Sequence, residues 1–226
     1  IDPASGAVAL LEAIRVVAKY AGPRPNTIRV ALWGVEEIGL IGSHAYVDQH
    51  AAELDNIRFY FNMDACGGSR AKDVVLNEWP ALETIVRGWQ AEMALDFMVG
   101  TSISAHSDHF PFLLAGVPTG GLEPVQRDLS GRGYGHTRYD TLDKAEICNL
   151  RDASALAARL ALRIASADVA GFYGGVELSR VLTLLTRAVT RVTATTKWHV
   201  VIRSGRCQIH HYTAGLCIAT EVCGTC

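Results

Sequence analysis

Residues 27–49 read TIRVALWGVEEIGLIGSHAYVDQ. The first part, Thr27 to Trp33, is rich in β-branched and large apolar residues and stops at Gly34, which predicts a strand. The last part, Gly42 to Gln49, follows a glycine-punctuated turn and predicts a short helix. A strand, a turn and a helix in quick succession form the repeating unit of an α/β protein. Two adjacent acids, Glu36 and Glu37, sit in the turn. An α/β sheet collects its ligands there, beyond the carboxyl ends of its strands.

The alternation continues in both directions. Upstream, Ser5 to Tyr20 predicts a helix with Val8, Leu10, Leu11, Ile14 and Val17 as a wide apolar face, stopped by Gly22-Pro23. Downstream, strands are predicted at Ile57 to Met63 (IRFYFNM) and Val74 to Leu76. Pro80 to Leu95 predicts a helix with proline in its first turn, and Phe97 to Gly100 a brief strand. Phe110 to Ala115 predicts a short helix, Val117 to Leu122 a strand, and Leu150 to Ala165 an Ala- and Leu-rich helix. The expected fold class is α/β with a largely parallel central sheet.

The bulk numbers agree with an ordinary globular body. The 226 residues are 49% hydrophobic, enough for one sizeable domain or a domain with an appendage. A net charge of -2 gives no reason to expect nucleic acid as a partner. Charge is unevenly spread: residues 1–170 hold 15 Lys+Arg against 21 Asp+Glu, whereas residues 171–226 hold 6 against 2. The expected organisation is therefore a body at 1–170 and a basic tail at 171–226. No apolar run is long and charge-free enough to span a membrane. The chain opens on Ile1-Asp2-Pro3 without Met or a signal segment, so an internal fragment or processed form is expected. Secreted and cytoplasmic placements both stay open.

Four acidic or His-bearing segments stand at element boundaries: Asp2, Glu36-Glu37, Asp64 and His136. Read singly, each has an ordinary explanation. A Glu-Glu pair forms a solvated turn, a strand-end Asp caps or turns the chain, and a loop His is exposed. Taken together they offer three carboxylates and one imidazole for a divalent ion, with one spare carboxylate. Zinc takes this oxygen and nitrogen mixture, and a two-metal site needs a bridging carboxylate and a base beside the water.

The motifs run in order along the chain: D-P-A-S-G at 2–6, W-G-V-E-E-I-G-L-I-G-S at 33–43, N-M-D at 62–64, S-D-H-F-P-F at 107–112, G-V-P-T-G-G-L at 116–122 and H-T-R-Y-D-T at 136–141. This series resembles the co-catalytic di-zinc aminopeptidases of metallopeptidase clan MH over about residues 2–166. The resemblance implies a three-layer α/β/α fold around a mixed, largely parallel sheet, and a zinc-dependent exopeptidase acting on peptides with a free N-terminus. It implies Asp2 as the bridging ligand, Glu37 and His136 as ligands of one zinc, Asp64 as a ligand of the other, and Glu36 as general base. The family's remaining ligand, a His in an upstream H-x-D segment, has no counterpart in residues 1–226. Two ions are thus expected in the full-length protein, and one in this chain. Relatives have a cis peptide after the bridging Asp. Pro3 stands at that place, so a cis Asp2–Pro3 bond is expected, although Pro3 also reads as an ordinary first-turn residue.

Other positions are expected around the metals. Ser107 and Asp108 would orient the His136 region or cap the Phe110 helix. The resemblance implies His106 as a contact for substrate. Tyr134, one position removed from the residue before His136, would reach the oxyanion. Two rival readings use the same residues. Asp2, Glu37 and His136 would also suffice for a single-zinc glutaminyl cyclase, and a metal-free peptidase-like scaffold is the non-enzymatic alternative.

The tail reads differently. Leu178, Val181, Leu182, Leu185, Val189 and Val192 have helical spacing, and a Thr-rich run follows at Thr190 to Thr196. Cys66 and Cys148 stand alone in the body, while Cys207, Cys217, Cys223 and Cys226 gather at the end with His210 and His211. One C-x-x-C spacing lacks a second matched pair, so a disulfide-bearing or disordered tail is expected over a further zinc site. The abrupt change of text after Asp168 also fits a shifted reading frame.

Overall fold

A computed structural model describes residues 1–68, 72–77, 79–124 and 134–167, together with the backbone of three strands between 197 and 223. Helix α1 spans Ala4–Tyr20, α2 Ile41–Gln49, β1 Tyr60–Met63, β2 Lys72–Leu76, α3 Pro80–Met93, β3 Val99–Gly100, α4 His109–Leu114, β4 Thr119–Pro124 and α5 Ile147–Ser166. Short 3-10 turns cover Ala51–Asn56 and Leu142–Lys144. The body sheet runs β1-β4-β2-β3, with β1·β4 and β2·β3 parallel and β2·β4 antiparallel. It is a mixed sheet with helices on both faces. Strand β2 lies between two partners, and Val74, Val75 and Leu76 are buried, as a covered central strand requires.

Two apolar clusters fill the layers. On one face Val74, Leu76 and Leu122 pack with residues of α1, α3 and α5, including Val17, Leu82, Val86 and Leu160. Phe59, Phe61 and Met63 join that side. On the other face Leu54, Phe112 and Val117 gather Trp33, Tyr46, Ile57 and Tyr60. Alternate residues at 59–63 therefore face opposite cores, as the period of a strand dictates. Burying a side chain such as Leu82 or Phe112 completely is worth about 1.5–3 kcal/mol.

The helical face of α1 differs from the expected one. The buried stripe is Ser5, Ala9, Ala13 and Val17, spaced by four, while Val8 and Leu11 are half exposed. Small residues let α1 approach α5, whose own inward residues include Ala153, Ala157 and Ala158. Interaxial distance depends on the side chains at the contact, so size decided this face rather than hydrophobicity. Ser5 Oγ then accepts the backbone N–H groups of Cys66 and Gly67 at 2.9 and 3.0 Å.

The segment at 27–33 is also a correction. It forms no ladder among the described residues. Its exposure nevertheless alternates residue by residue from Thr27 to Val30, and Ile28 and Trp33 reach different cores. A strand is defined by its partner, and the described residues include none that pairs with this segment. The elements at 57–63 and 97–100 are shorter than expected, with β1 covering Tyr60–Met63 and β3 Val99–Gly100.

Helix α4 ends as its sequence requires. Gly116 takes φ 83°, and the N–H groups of Gly116 and Val117 reach Leu113 O and Phe112 O, both at 3.0 Å. This is the paired-bond helix ending that favours glycine.

Beyond the body, Lys197–Arg203, Arg206–Thr213 and Leu216–Cys223 form an antiparallel three-stranded meander, β5-β6-β7, where no element is predicted. The helix expected at 178–192 and the Thr190–Thr196 run lie outside the described residues, as do the side chains of the tail cysteines and histidines. Among the described residues no helix is long and apolar enough to cross a membrane.

Candidate metal centre

Asp2 precedes α1, Glu37 lies in the turn before α2, Asp64 follows β1, and His136 sits in the loop before α5. The turn holding Glu36 and Glu37 is tightly closed. The N–H groups of Gly39 and Leu40 both reach Glu36 O at 2.9 Å. Val35 and Leu40 adopt φ 64° and 56°, a left-handed conformation uncommon outside glycine and most strained for the β-branched Val35. His136 has φ 60°. Left-handed backbone at Val35, Leu40 and His136 is the kind of feature that clusters at functional sites.

These elements bring three of the expected ligands together. His136 Nε2 lies 3.3 Å from Asp2 Oδ2 and 3.1 Å from Glu37 Oε2, and one ligand atom from each residue falls within 4.8 Å of the others. Ligands about 2.0–2.2 Å from a tetrahedral zinc stand about 3.3–3.6 Å from one another. The spacing matches a coordination edge. Asp2, Glu37, His136, Thr137 and Asp140 line an open depression.

Asp64 is next to this group, in contact with the Asp2 carboxyl. Its carboxyl is pushed above the ordinary range by burial, by that contact and by the Asp2 charge, while a hydrogen bond from Ser107 pulls it down. Asp64 Oδ1 is buried and has no hydrogen-bond partner. A buried carboxylate oxygen left unsatisfied is costly, and a cation between Asp2 and Asp64 would satisfy it. The donor set of carboxylate oxygens with one imidazole suits zinc.

Glu36 is half-buried beside these groups. Its carboxyl is pushed up to about 7, first by burial and then by the charges of Asp64, Glu37, Asp108 and Asp2. A base poised near neutrality is suited to proton transfer at physiological pH.

Other expected residues lie elsewhere. The side-chain bonds of Ser107 and Asp108 run to Asp64 and Ser43 rather than to the His136 loop. Ser107 Oγ donates to Asp64 Oδ2 at 2.9 Å, and Asp108 Oδ1 accepts from Ser43 Oγ at 2.6 Å. Asp108 occupies the cap position of α4 without a side-chain cap bond, because its carboxylate is already committed to α2. His106 is exposed. Tyr134 is also exposed and holds Lys144 Nζ 5.2 Å from its ring centroid; its link to the depression is its carbonyl, which accepts from Thr137 Oγ1 at 2.7 Å. The Asp2–Pro3 bond is cis.

Asp140 was not among the expected residues. Its Oδ2 accepts the Asp2 N–H at 2.9 Å, and its Oδ1 meets the Ile1 nitrogen. It thereby ties the His136 loop to the backbone of Asp2. The signal was an acid four positions after His136 in a turn-rich loop, which carries no meaning until the partner is visible.

The sequence profile of peptidase family M28 matches residues 1–161. The chain belongs to this family. Within it, the chain is 37% identical over 138 residues to leupeptin-inactivating enzyme 1 of Streptomyces exfoliatus, covering 60% of this chain and 30% of that protein. It is 33% identical over 159 residues to an aminopeptidase of Pseudomonas aeruginosa, covering 63% of this chain and 29% of that protein. The chain thus spans under a third of the length of these two relatives. Among solved M28-like structures, a peptidase M28 precursor from Shewanella amazonensis superposes with a TM-score of 0.65 at 26% identity, over 75% of this chain and 38% of that one. BSAP, a zinc aminopeptidase from Bacillus subtilis, gives 0.60 at 27% identity, over 76% and 44%. These neighbours share the α/β fold of the M28 chain described above.

Proposed function

We propose that this chain carries the catalytic part of a zinc-dependent exopeptidase that hydrolyses N-terminal peptide bonds. Residues 1–170 would form the catalytic unit. Asp2, Glu37 and His136 would hold one ion, and Asp64 with Asp2 would face a second. The observation that carries the reading is the convergence of His136 with Asp2 and Glu37 at 3.3 and 3.1 Å. The reaction class follows the aminopeptidases to which the chain is similar, and the metal follows BSAP.

Zinc in this donor set would supply a Lewis acid for the scissile carbonyl and a water of lowered pKa. Glu36 accepts the proton of the attacking water and returns it to the leaving amine. The free α-amine of a peptide N-terminus would be held by the metal or by the nearby carboxylates. Asp140 keeps Asp2 in register with His136 through the Asp2 N–H.

A second reading has an observation of its own: only Asp2, Glu37 and His136 meet the spacing of a metal group among the described residues, and a single-zinc glutaminyl cyclase needs no more. The unsatisfied Asp64 Oδ1 favours the peptidase. Offering the zinc-loaded protein an aminoacyl anilide, its N-blocked form and an N-terminal glutaminyl peptide separates the cases. Anilide release from the free form alone supports the exopeptidase. A cyclised product supports the cyclase, and inertness towards all three supports the scaffold.

A further inference from the structure

Asp64 is the last member of an unbroken run of hydrogen bonds. Trp33 Nε1 donates to Tyr60 Oη at 2.8 Å. Tyr60 Oη donates to Asn62 Oδ1 at 3.2 Å. Asn62 Nδ2 donates to Ser107 Oγ at 2.8 Å, and Ser107 Oγ donates to Asp64 Oδ2 at 2.9 Å. Tyr60, Asn62 and Asp64 alternate along β1 and its end, so they share one side of the strand.

The chemistry of the two ends sets the direction of the whole run. An indole N–H only donates, and a carboxylate only accepts. Tyr60 must therefore accept from Trp33 and give its own proton to Asn62. The Asn62 amide is then held with its oxygen towards Tyr60 and its nitrogen towards Ser107. Ser107, already accepting, has its proton left for Asp64. The aromatic end is fixed by packing: Tyr60 stacks on Phe112 at 4.3 Å, and Trp33 meets Tyr46 edge-on at 5.1 Å. Reversal of any hydroxyl would leave two donors or two acceptors facing each other in a partly buried place, which is unfavourable.

We infer that Trp33, Tyr60 and Asn62 are positioning residues that act through Ser107 to hold Asp64 as a hydrogen-bond acceptor at Oδ2, leaving Oδ1 directed to a divalent cation shared with Asp2. This inference rests on the metal reading above. It places the indole of the segment preceding Glu36 in control of the carboxylate that follows β1. Outer-shell partners of metal-binding carboxylates commonly set affinity in this way.

The test is a double-mutant cycle read by Zn2+ titration calorimetry, with the affinity taken from the second equivalent, the one that faces Asp64. Ser107→Ala removes the donor to Asp64 and lowers Zn2+ affinity by roughly tenfold, the lower end for an outer-shell partner. Trp33→Phe keeps a ring in the aromatic cluster, removes the N–H, and lowers affinity by about twofold to tenfold, the range of one hydrogen bond. With Ser107→Ala in place, Trp33→Phe has no further effect on Zn2+ affinity. Tyr60→Phe, which keeps the ring on Phe112, repeats the cycle if Trp33→Phe does not fold. Additive losses in a protein that takes up Zn2+ overturn the inference and leave the metal reading standing. A wild-type protein that takes up no Zn2+ overturns the metal reading and the positioning role with it.

Discussion

His136 Nε2 stands 3.1 Å from Glu37 Oε2, although 99 positions (136 minus 37) separate the two residues in the sequence. Asp2 completes the group at 3.3 Å from the same nitrogen. Removing either side chain leaves too few donors for tight zinc binding. Glu37→Ala and His136→Ala should each weaken Zn2+ binding by more than the roughly 10–100-fold typical of an outer-shell change. Competition against a chromogenic chelator measures this.

Glu36 has a different place. It is flanked by the ligand acids but belongs to none of the close contacts of the metal group. Glu36→Gln should therefore retain Zn2+ with near wild-type affinity while turnover of an aminoacyl anilide falls by about 10²–10⁴-fold. Turnover within a few-fold of wild type would place the base elsewhere.

Gly6 sets the fit of α1 against the end of β1. A Cβ built there would lie 1.9 Å from Asp64 O and 2.4 Å from Met63 O. Neither backbone atom can yield without moving Asp64 or the helix that follows Asp2. Gly6→Ala should destabilise the protein by at least about 1–3 kcal/mol, as overpacking does, and should weaken Zn2+ binding as well. Thermal denaturation and metal titration of the same variant check both halves.

How much of this was legible in the sequence depends on the residue. Glu36, Glu37, Asp64 and His136 stood in turn-rich text after apolar runs, and a loop position is where chemistry shows through. Asn62 and Tyr60 were readable by stepping back two residues at a time from Asp64, since a strand keeps alternate side chains on one side. Asp140 and Ser43 were not. Each matters through one long-range hydrogen bond that no local pattern records. The α1 face misled because hydrophobic periodicity ranks Val8 and Leu11 above Ala9 and Ala13, whereas close helix packing selects for smallness. Thr27 to Trp33 had the composition of a strand, but composition does not supply a neighbour to bond with.

His109 offers a pH test away from the ligands. It is buried in α4, and burial pulls its pKa down to about 4 against the opposing pull of its hydrogen bond with Ser104 O at 2.9 Å. The folded protein keeps this ring neutral while the unfolded chain protonates near 6.5. Its contribution to stability is thus present above 6.5 and is lost as pH falls from there towards about 4. Glu36, with its carboxyl raised to about 7, acts the other way, since the metal-free folded state holds its proton up to higher pH. Comparing His109→Gln with wild type isolates the histidine: the gap in melting temperature should shrink or reverse between pH 7 and pH 4. A constant gap would place a charged imidazole in the fold.

The most direct measurement is zinc-edge X-ray absorption on the protein carrying one equivalent of Zn2+, beside His136→Ala. The ion should see one imidazole nitrogen with carboxylate and water oxygens, and the imidazole signal should vanish in the variant. Sulfur scatterers from the cysteines between 207 and 226, or an unchanged spectrum in His136→Ala, would contradict a centre built from Asp2, Glu37 and His136.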